Sequence, residues 1–247
     1  MQEDQLEGQA AVVTGGSRGI GLAIAQSLVA EGVDVLICSR SAEDLSEALR
    51  RSAEQNTADA SHGRLESFAA DVCDPAQMAA VVARAVEVFG QLDILVNNAG
   101  VGRFGQVGEM SIEDWKTVVE TNLSGAFFAC HAAIPVLRRG GGGWIVNIGS
   151  LAGSHPFVGG SAYCASKAGL DALSEVLMQE VRHDNIRVSC VAPGSVSTGF
   201  AGGAAEAEPT AWKLAAGDVS RAVVDLLRHD PRSLPSRVEI RPSRPRR

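Results

Sequence analysis

The stretch Ala10-Ala-Val-Val-Thr-Gly-Gly-Ser-Arg-Gly-Ile-Gly21 decides the fold. Ala10–Thr14 predicts a short buried strand, and the glycines after it predict a tight loop that leads into a helix. Such glycines let the backbone approach a pyrophosphate, while the helix N-terminus supplies amide donors and partial positive charge. The spacing Gly15-x-x-x-Gly19-x-Gly21 differs from the Gly-x-Gly-x-x-Gly fingerprint and from a P-loop, so a plain strand-to-helix turn is the alternative.

The rest of the chain repeats this alternation of apolar strands and helices. Val33–Cys38, Asp93–Asn97 and Trp144–Ile148 are rich in Val, Ile and Leu without a polar face, which is typical of parallel strands covered by helices on both sides. One long helix is predicted over Ile112–Arg138. We therefore predict an α/β fold, a single doubly wound Rossmann-type domain over residues 1–247, with a mostly parallel seven-stranded sheet and helices on both faces.

Composition excludes several classes of protein. A net charge of −7 argues against a nucleic-acid partner, and the basic tail 241–247 is interpreted as a solvated terminus. The five cysteines form no Cys-x-x-Cys pair and the five histidines show no ligand spacing, which predicts neither a disulfide framework nor a metal site. No apolar run approaches the ~20 residues of a membrane helix, and the acidic N-terminus lacks a signal-peptide core. We expect a cytoplasmic protein with no membrane partner.

A second informative stretch places Tyr163 and Lys167 four residues apart, so that they share a face of the helix predicted over Ser161–His183. A tyrosine normally titrates near ~10, and a nearby ammonium favours the phenolate and lowers that pKa. The pair therefore predicts a tyrosine suited to general acid–base catalysis. A chance pair on a surface helix is the alternative.

The end of the second predicted strand bears on the choice between NAD and NADP. An acidic residue there would accept the ribose 2′-hydroxyl, whereas an arginine would meet a 2′-phosphate. This chain has Ser39 and Arg40 at that point, with Arg18 in the glycine loop. Two guanidinium groups favour the phosphate through charge-assisted hydrogen bonds, so we predict NADP(H) over NAD(H). A pair of ordinary surface arginines is the alternative.

Together these motifs resemble the single-domain branch of the short-chain dehydrogenase/reductase superfamily over essentially the full chain, and most of all its bacterial 3-oxoacyl-(acyl-carrier-protein) reductases. The matching motifs are Thr14-Gly-x-x-x-Gly-x-Gly21, Asp71-Val72, Asn97-Asn-Ala-Gly100, Asn122, Ser150, Tyr163-x-x-x-Lys167 and Pro193-Gly194. The resemblance implies an oxidoreductase that transfers a hydride between NADP(H) and a carbonyl or secondary alcohol. The substrate is left open: a 3-oxoacyl thioester is one candidate, although the end of the chain lacks the glycine-rich close typical of the fatty-acid reductases, and another ketone, a quinone or a sugar alcohol is the alternative.

The resemblance also implies four catalytic roles. Tyr163 would exchange a proton with the substrate oxygen, and Ser150 would hydrogen-bond that oxygen. Lys167 would hold the nicotinamide ribose hydroxyls and lower the pKa of the tyrosine. Asn122 would anchor a water that relays protons to the lysine. Judged by residue type alone, Ser150 could instead cap a strand end and Asn122 could make a local bond on its helix.

The cofactor site implied by the resemblance combines the glycine loop with the ends of the later strands. Its residues are Gly15, Ser17, Arg18, Gly19, Ile20, Gly21, Ser39, Arg40, Asp71, Val72, Asn98, Ala99, Gly100, Tyr163, Lys167, Pro193, Gly194, Val196 and Thr198. Asp71 and Val72 would bracket the adenine, and the segment from Pro193 to Thr198 would meet the nicotinamide.

Substrate recognition is expected in the segment of about 197–217, which is rich in Ala, Gly and Glu, because in relatives this region closes over the substrate. His155, Phe157 and Val158 are expected to face the substrate, with core or surface placement as the alternative. The resemblance also implies a homo-oligomer, either a tetramer or a dimer.

Two other classes of protein are weaker alternatives. A cofactor-binding regulator without catalysis would be marked by loss of Ser150, Tyr163 or Lys167, and all three are present. A sugar-nucleotide epimerase or dehydratase shares Tyr-x-x-x-Lys but usually carries a larger C-terminal substrate domain than the about 50 residues that follow Pro193 here.

Overall fold

A parallel sheet of seven strands organises the described part of the computed structural model, which comprises residues 6–55, 63–200 and 212–244. In chain order the strands are β1 (Ala10–Thr14), β2 (Asp34–Ser39), β3 (Leu65–Ala69), β4 (Ile94–Asn97), β5 (Gly143–Ile148), β6 (Ile186–Pro193) and β7 (Arg237–Ile240). Their spatial order is β3-β2-β1-β4-β5-β6-β7, and all the pairings are parallel. The predicted doubly wound α/β fold is confirmed.

Helices cover both faces of this sheet. One face carries α1 (Gly19–Ala30), α2 (Ala42–Gln55) and α7 (Ala216–Leu227), and the other carries α3 (Pro75–Phe89), α5 (Gly125–Gly140) and α6 (Ser161–Val181). A short helix, α4 (Ile112–Val119), precedes α5. None of the helices in the described ranges is long and apolar enough to cross a membrane.

The apolar strands follow from burial on both sides. In β1, Val13 packs into the core beneath α1 and α7, whereas Val12 packs into the core beneath α3 and α5. Trp144 and Ile145 in β5 divide between the two cores in the same way. Because consecutive side chains point to opposite faces and both faces are covered, neither face can be polar.

The predicted helix over Ile112–Arg138 is wrong in one respect, because it is not continuous. A π turn over Glu120–Ser124 separates α4 from α5, and the Gly125 N–H donates to the Glu120 carbonyl five residues earlier. The extra residue in this turn directs Asn122 inward, where it is only 1% exposed. π turns often mark functional sites, and this one lies beside the crevice described below.

The strand order places that crevice. The chain runs outward from β1 through β2 to β3, and then returns to β4 on the other side of β1. In open α/β sheets, ligands bind at such a switch point, outside the carboxyl ends of the strands. The motifs named in the sequence lie at or just after the carboxyl ends of six strands, at Gly15, Ser39, Asp71, Asn98, Ser150 and Pro193.

A buried chain of polar side chains fastens α6 to the sheet. Asn97 of β4 donates through Nδ2 to Asn147 Oδ1 of β5 at 2.8 Å, and Asn147 Nδ2 donates to Ser174 Oγ of α6 at 2.8 Å. Ser174 in turn donates to the Leu170 carbonyl. Asn97 and Asn147 are register partners, so this row of hydrogen-bonded side chains runs from β4 through β5 to α6, the helix that carries Tyr163.

Replacing Ser174 by alanine should lower the free energy of unfolding by about 1–3 kcal/mol, because it leaves the buried Asn147 amide without an acceptor. Denaturant unfolding measures the loss. Ser46→Ala is the matched control, since Ser46 makes the same bond to the carbonyl four residues earlier but is exposed on α2. Equal effects of the two variants would show that the buried chain contributes nothing beyond the local helix bond.

Candidate active site

The glycine loop after β1 packs against the end of β4 so closely that side chains do not fit. Gly15 has φ +64, and a Cβ on it would lie 2.8 Å from the Ala99 Cα. A Cβ on Gly21 would overlap the Gly15 carbonyl oxygen and the Asn98 amide. The loop is therefore shaped by the absence of side chains, as expected for a backbone that must approach a phosphate closely.

Thr14 and Asn98 hold this loop in place. The Thr14 hydroxyl oxygen accepts from the backbone N–H groups of Asn98 and Ala99 at 3.0 and 3.1 Å. The Asn98 side chain donates from Nδ2 to the carbonyls of Thr14 and Gly15, both at 3.0 Å. Asn98, predicted as a cofactor ligand, thus uses its side-chain amide to position the loop. Thr14 is a positioning residue missing from the predicted site, although it opens the motif Thr14-Gly-x-x-x-Gly-x-Gly21.

The N-terminus of α1 is free to receive an anion. Arg18 occupies the N-cap position without a side-chain hydrogen bond, and the first turn contains no acidic residue. Ile20 turns its side chain to the core, so it can offer only its backbone N–H, as can Gly19 and Gly21. Thr198 lies beside this turn, since its methyl would be 3.6 Å from a Cβ on Gly19. These features fit a pyrophosphate bound by helix amides.

The part of the predicted cofactor site that would hold the adenosine is formed by the segments after β2 and β3. The Ala70 N–H donates to the Ser39 carbonyl at 2.9 Å, so the chain segments after the two strands run together. Val72 is buried, and the Asp71 carboxylate accepts from the Cys73 N–H at 3.0 Å. Arg40 is exposed beside them.

The guanidinium groups of Arg18 and Arg40 form no ion pair with any residue in the described ranges, and both side chains are exposed. No acid stands at the end of β2, where Ser39 and Arg40 follow Cys38. Within the described ranges both guanidinium groups are thus exposed and without an ion pair, and their contact with a phosphate stays a prediction.

The predicted catalytic residues converge at the carboxyl end of β5. Tyr163 lies in the first turn of α6, and Lys167 lies one turn later with its Nζ 6.0 Å from the centroid of the tyrosine ring. The Lys167 ammonium donates to the Ile148 carbonyl at 2.8 Å and is 5% exposed. Ser150 follows β5, and its hydroxyl oxygen accepts from the Ala152 N–H at 3.1 Å.

The pKa of Tyr163 moves in the opposite direction to the sequence-based prediction. Burial of the phenol raises its pKa above 10, and a hydrogen bond with Ser150 only partly opposes this. Burial lowers the pKa of Lys167 from 10.5 to about 8, with Cys190 and Asp171 acting against the shift. The expectation that Lys167 lowers the pKa of Tyr163 is thus wrong for this structure, because loss of hydration dominates both groups.

Asn122 links the π turn to two neighbouring segments. Its Oδ1 accepts from the Val101 N–H at 2.7 Å, and its Nδ2 donates to the Val101 carbonyl at 3.0 Å and to Ser166 Oγ at 3.1 Å. Ser166 donates onward to the Tyr163 carbonyl. Both amide hydrogens of Asn122 are therefore used, so a water at this residue could bind only to its backbone or to the second lone pair of Oδ1.

The segment after β6 returns towards the glycine loop. The Gly194 N–H donates to the Ile240 carbonyl, and Val196 forms a bridge with Leu214. Of the predicted substrate loop, 197–200 and 212–217 are described and 201–211 lie outside the described residues. Of the basic tail, 245–247 also lie outside them.

This fold and site define a class. A family model described as short chain dehydrogenase matches residues 9–209, so the chain belongs to the short-chain dehydrogenase family. A 3-oxoacyl-(acyl-carrier-protein) reductase from Chlamydia muridarum is 35% identical over 207 residues, which cover 84% of this chain and 82% of the relative.

Other relatives have different names. A trans-4-hydroxycyclohexanecarboxylate dehydrogenase from Sinomonas cyclohexanicum is 37% identical, with 81% of this chain and 77% of the relative covered. Among solved structures, a metagenomic short-chain oxidoreductase in complex with NADP has a TM-score of 0.81 and 35% identity, covering 97% of this chain and 99% of that one. The chain is thus a short-chain oxidoreductase, and the names of its relatives do not agree on a substrate.

Replacing Lys167 by methionine tests the cost of burying its ammonium. A lysine whose pKa falls from 10.5 to about 8 on folding destabilises the protein below pH 8, and this penalty is relieved as the pH rises from 8 towards 10.5. At about 1.4 kcal/mol per pKa unit, and after loss of the bond to Ile148, the variant should be more stable by about 2 kcal/mol at pH 7.

The measurement is urea unfolding at pH 7 and again near pH 9.5, where the advantage of the variant should largely disappear. Lys116→Met is the control, since Lys116 is exposed on α4 and should show no such dependence. An advantage that does not change with pH would mean that the ammonium is not the source of the penalty.

Proposed function

We propose that the protein is an NADP(H)-dependent oxidoreductase that interconverts a carbonyl compound and the corresponding secondary alcohol. The observation that carries this proposal is the convergence of Ser150, Tyr163 and Lys167 beside a glycine loop that is shaped for a pyrophosphate. Loss of any of the three would have favoured a binding protein without catalysis.

The protein's part in reduction is to bind the carbonyl oxygen and to supply its proton. The glycine loop and the N-terminus of α1 would hold NADPH, which would supply the hydride for the carbonyl carbon. The phenol of Tyr163 is protonated at neutral pH, and burial raises its pKa further, so it can donate its proton once negative charge develops on the substrate oxygen. Ser150 Oγ accepts from the Ala152 N–H, so its own hydrogen, which is within reach of the Tyr163 oxygen, can also be donated to a substrate oxygen bound between them.

Lys167 is placed to hold the ribose hydroxyls of the nicotinamide and to return a proton to Tyr163. A pKa of about 8 suits that exchange, because the ammonium predominates at neutral pH but gives up its proton readily. Asn122 supports the exchange through the π turn, whose backbone would hold a relay water, while its side chain fixes Val101.

The proposed preference for NADP(H) rests on Arg18 and Arg40 and on the lack of an acid at the end of β2. The structurally similar metagenomic oxidoreductase was solved with NADP, which supports the same choice.

A 3-oxoacyl thioester is one candidate substrate, supported by the Chlamydia relative. On the family resemblance alone, we also propose a cytoplasmic homo-oligomer, with the exposed Phe127 of α5 at a subunit contact.

Tyr163→Phe tests the catalytic assignment. Removal of the phenol that transfers the proton to the substrate oxygen should lower kcat by at least about 100-fold, while the Kd for NADPH changes by less than about twofold. Steady-state rates and NADPH fluorescence titration measure the two quantities. A variant that retains the wild-type kcat would remove Tyr163 from the mechanism.

Arg40→Asp tests the cofactor preference. It replaces a phosphate-binding cation by a residue that accepts the ribose hydroxyl, so the ratio of kcat/KM for NADPH to that for NADH should fall at least about tenfold. Arg139→Asp makes the same charge change at an exposed position of α5 and should leave the ratio unchanged. An unaltered ratio in Arg40→Asp would show that Arg40 does not contact the phosphate.

A further inference from the structure

Phenylalanine rings surround the catalytic tyrosine. The ring centroid of Phe104 lies 5.8 Å from that of Tyr163 at an interplanar angle of 74°, and the centroid of Phe200 lies 5.6 Å from it. Phe157 extends the group, with its centroid 5.8 Å from that of Phe104. We call Phe104, Phe157 and Phe200 the aromatic wall. Three of the seven phenylalanines in the chain therefore lie in one group next to Tyr163.

The aromatic wall is exposed although it touches the half-buried phenol of Tyr163. Phe104, Phe157 and Phe200 are 51%, 49% and 40% exposed. Clustered exposed rings beside a reactive side chain are typical of a binding site, because such apolar surface gains free energy when a ligand covers it.

Two members of the wall are fixed by backbone contacts. The Gly105 N–H donates to the Gly159 carbonyl at 2.8 Å, and Gly105 and Gly160 form a bridge, so the segments that carry Phe104 and Phe157 are held together. A Cβ on Gly160 would lie 2.7 Å from the Phe157 ring, so this ring takes up space that only a glycine leaves open. The surface is therefore largely preformed, which lowers the entropic cost of binding.

The chemistry of the wall excludes most polar substrates. Among the residues that the structure describes, the polar groups next to the phenol already have roles, since Ser150 and Tyr163 bind the reacting oxygen and Lys167 donates to Ile148 and is placed for the ribose. Hydroxyl groups of a polyol would therefore face phenylalanine rings without hydrogen-bond partners, at a cost of a few kcal/mol each. A flat apolar ring would instead gain stacked or edge-to-face contacts.

The distances also limit where that ring lies in the substrate. Phe104 and Phe200 are in direct ring contact with the tyrosine that protonates the substrate oxygen. A substrate ring can touch both only if it is attached to the carbonyl carbon or includes it. Resting on the proposed function, we propose that the substrate is an aryl or carbocyclic ketone, or the corresponding alcohol, whose ring lies on the aromatic wall.

The first test compares carbonyl substrates of the wild-type protein with NADPH. Acetophenone and cyclohexanone serve as ring ketones, dihydroxyacetone as a small polar ketone, and acetoacetyl coenzyme A as a 3-oxoacyl thioester. The kcat/KM for acetophenone should exceed those for dihydroxyacetone and acetoacetyl coenzyme A at least about tenfold. Turnover that favours either of the latter would overturn the proposed substrate class but leave the carbonyl reductase intact. Turnover of none of the four would overturn both.

The second test removes the wall. Phe104→Ala and Phe157→Ala should each lower kcat/KM for acetophenone at least about tenfold while changing that for dihydroxyacetone less than about twofold, with NADPH binding unaltered. Phe104→Leu should retain an intermediate rate.

Phe89→Ala is the matched control for these variants, because Phe89 ends α3 and lies against Arg64 just before β3, away from the carboxyl ends of the strands. It should leave kcat/KM for both acetophenone and dihydroxyacetone unchanged. Equal losses on acetophenone and dihydroxyacetone would show that the rings support the fold or the tyrosine and do not hold the substrate.

Discussion

The hydrogen bonds between Thr14 and Asn98 are the constraint on which the functional end of the molecule depends. They join the carboxyl ends of β1 and β4 at the point where the strand order reverses, and they fix the backbone of the loop between β1 and α1. Because Gly21 must pass against Gly15 and Asn98, the direction of α1 is determined by the same contacts. The uncapped amides at the N-terminus of α1 therefore point into the crevice.

Helix α6, which carries Tyr163 and Lys167, is held by a different kind of interaction, and one of the groups involved reduces the stability of the fold. Buried amides and a serine hydroxyl fasten α6 to the sheet, and Lys167 adds a charged donor to the Ile148 carbonyl. A buried ammonium with a lowered pKa opposes folding at neutral pH, so the surrounding core must offset it. Locally unfavourable features of this kind are concentrated at functional sites, where they persist because the chemistry requires them.

Much of the fold could be predicted from the sequence because its determinants are local. Strands buried on both faces are apolar without alternation, and Asp74 and Gly90 begin and end α3 through a side-chain cap and a left-handed backbone, signals that are visible in residue type. The π turn at Asn122 has no such signal, because one extra residue in a helix changes the spacing of its apolar residues too little to be recognised in the sequence. The direction of the Tyr163 pKa could not be predicted either, since it depends on burial by residues distant in the chain.

The aromatic wall extends this point to substrate choice. Phe104, Phe157 and Phe200 follow three different strands and meet only because parallel strands bring their carboxyl ends to one edge. Rings packed around the phenol exclude water from it, so the wall and the raised pKa of Tyr163 have a common physical origin. An apolar ring laid against the wall would exclude more water, and in that less polar environment the hydrogen bonds of Tyr163 and Ser150 to a developing oxyanion become stronger. Substrate recognition and acid catalysis would then be two effects of one desolvated surface.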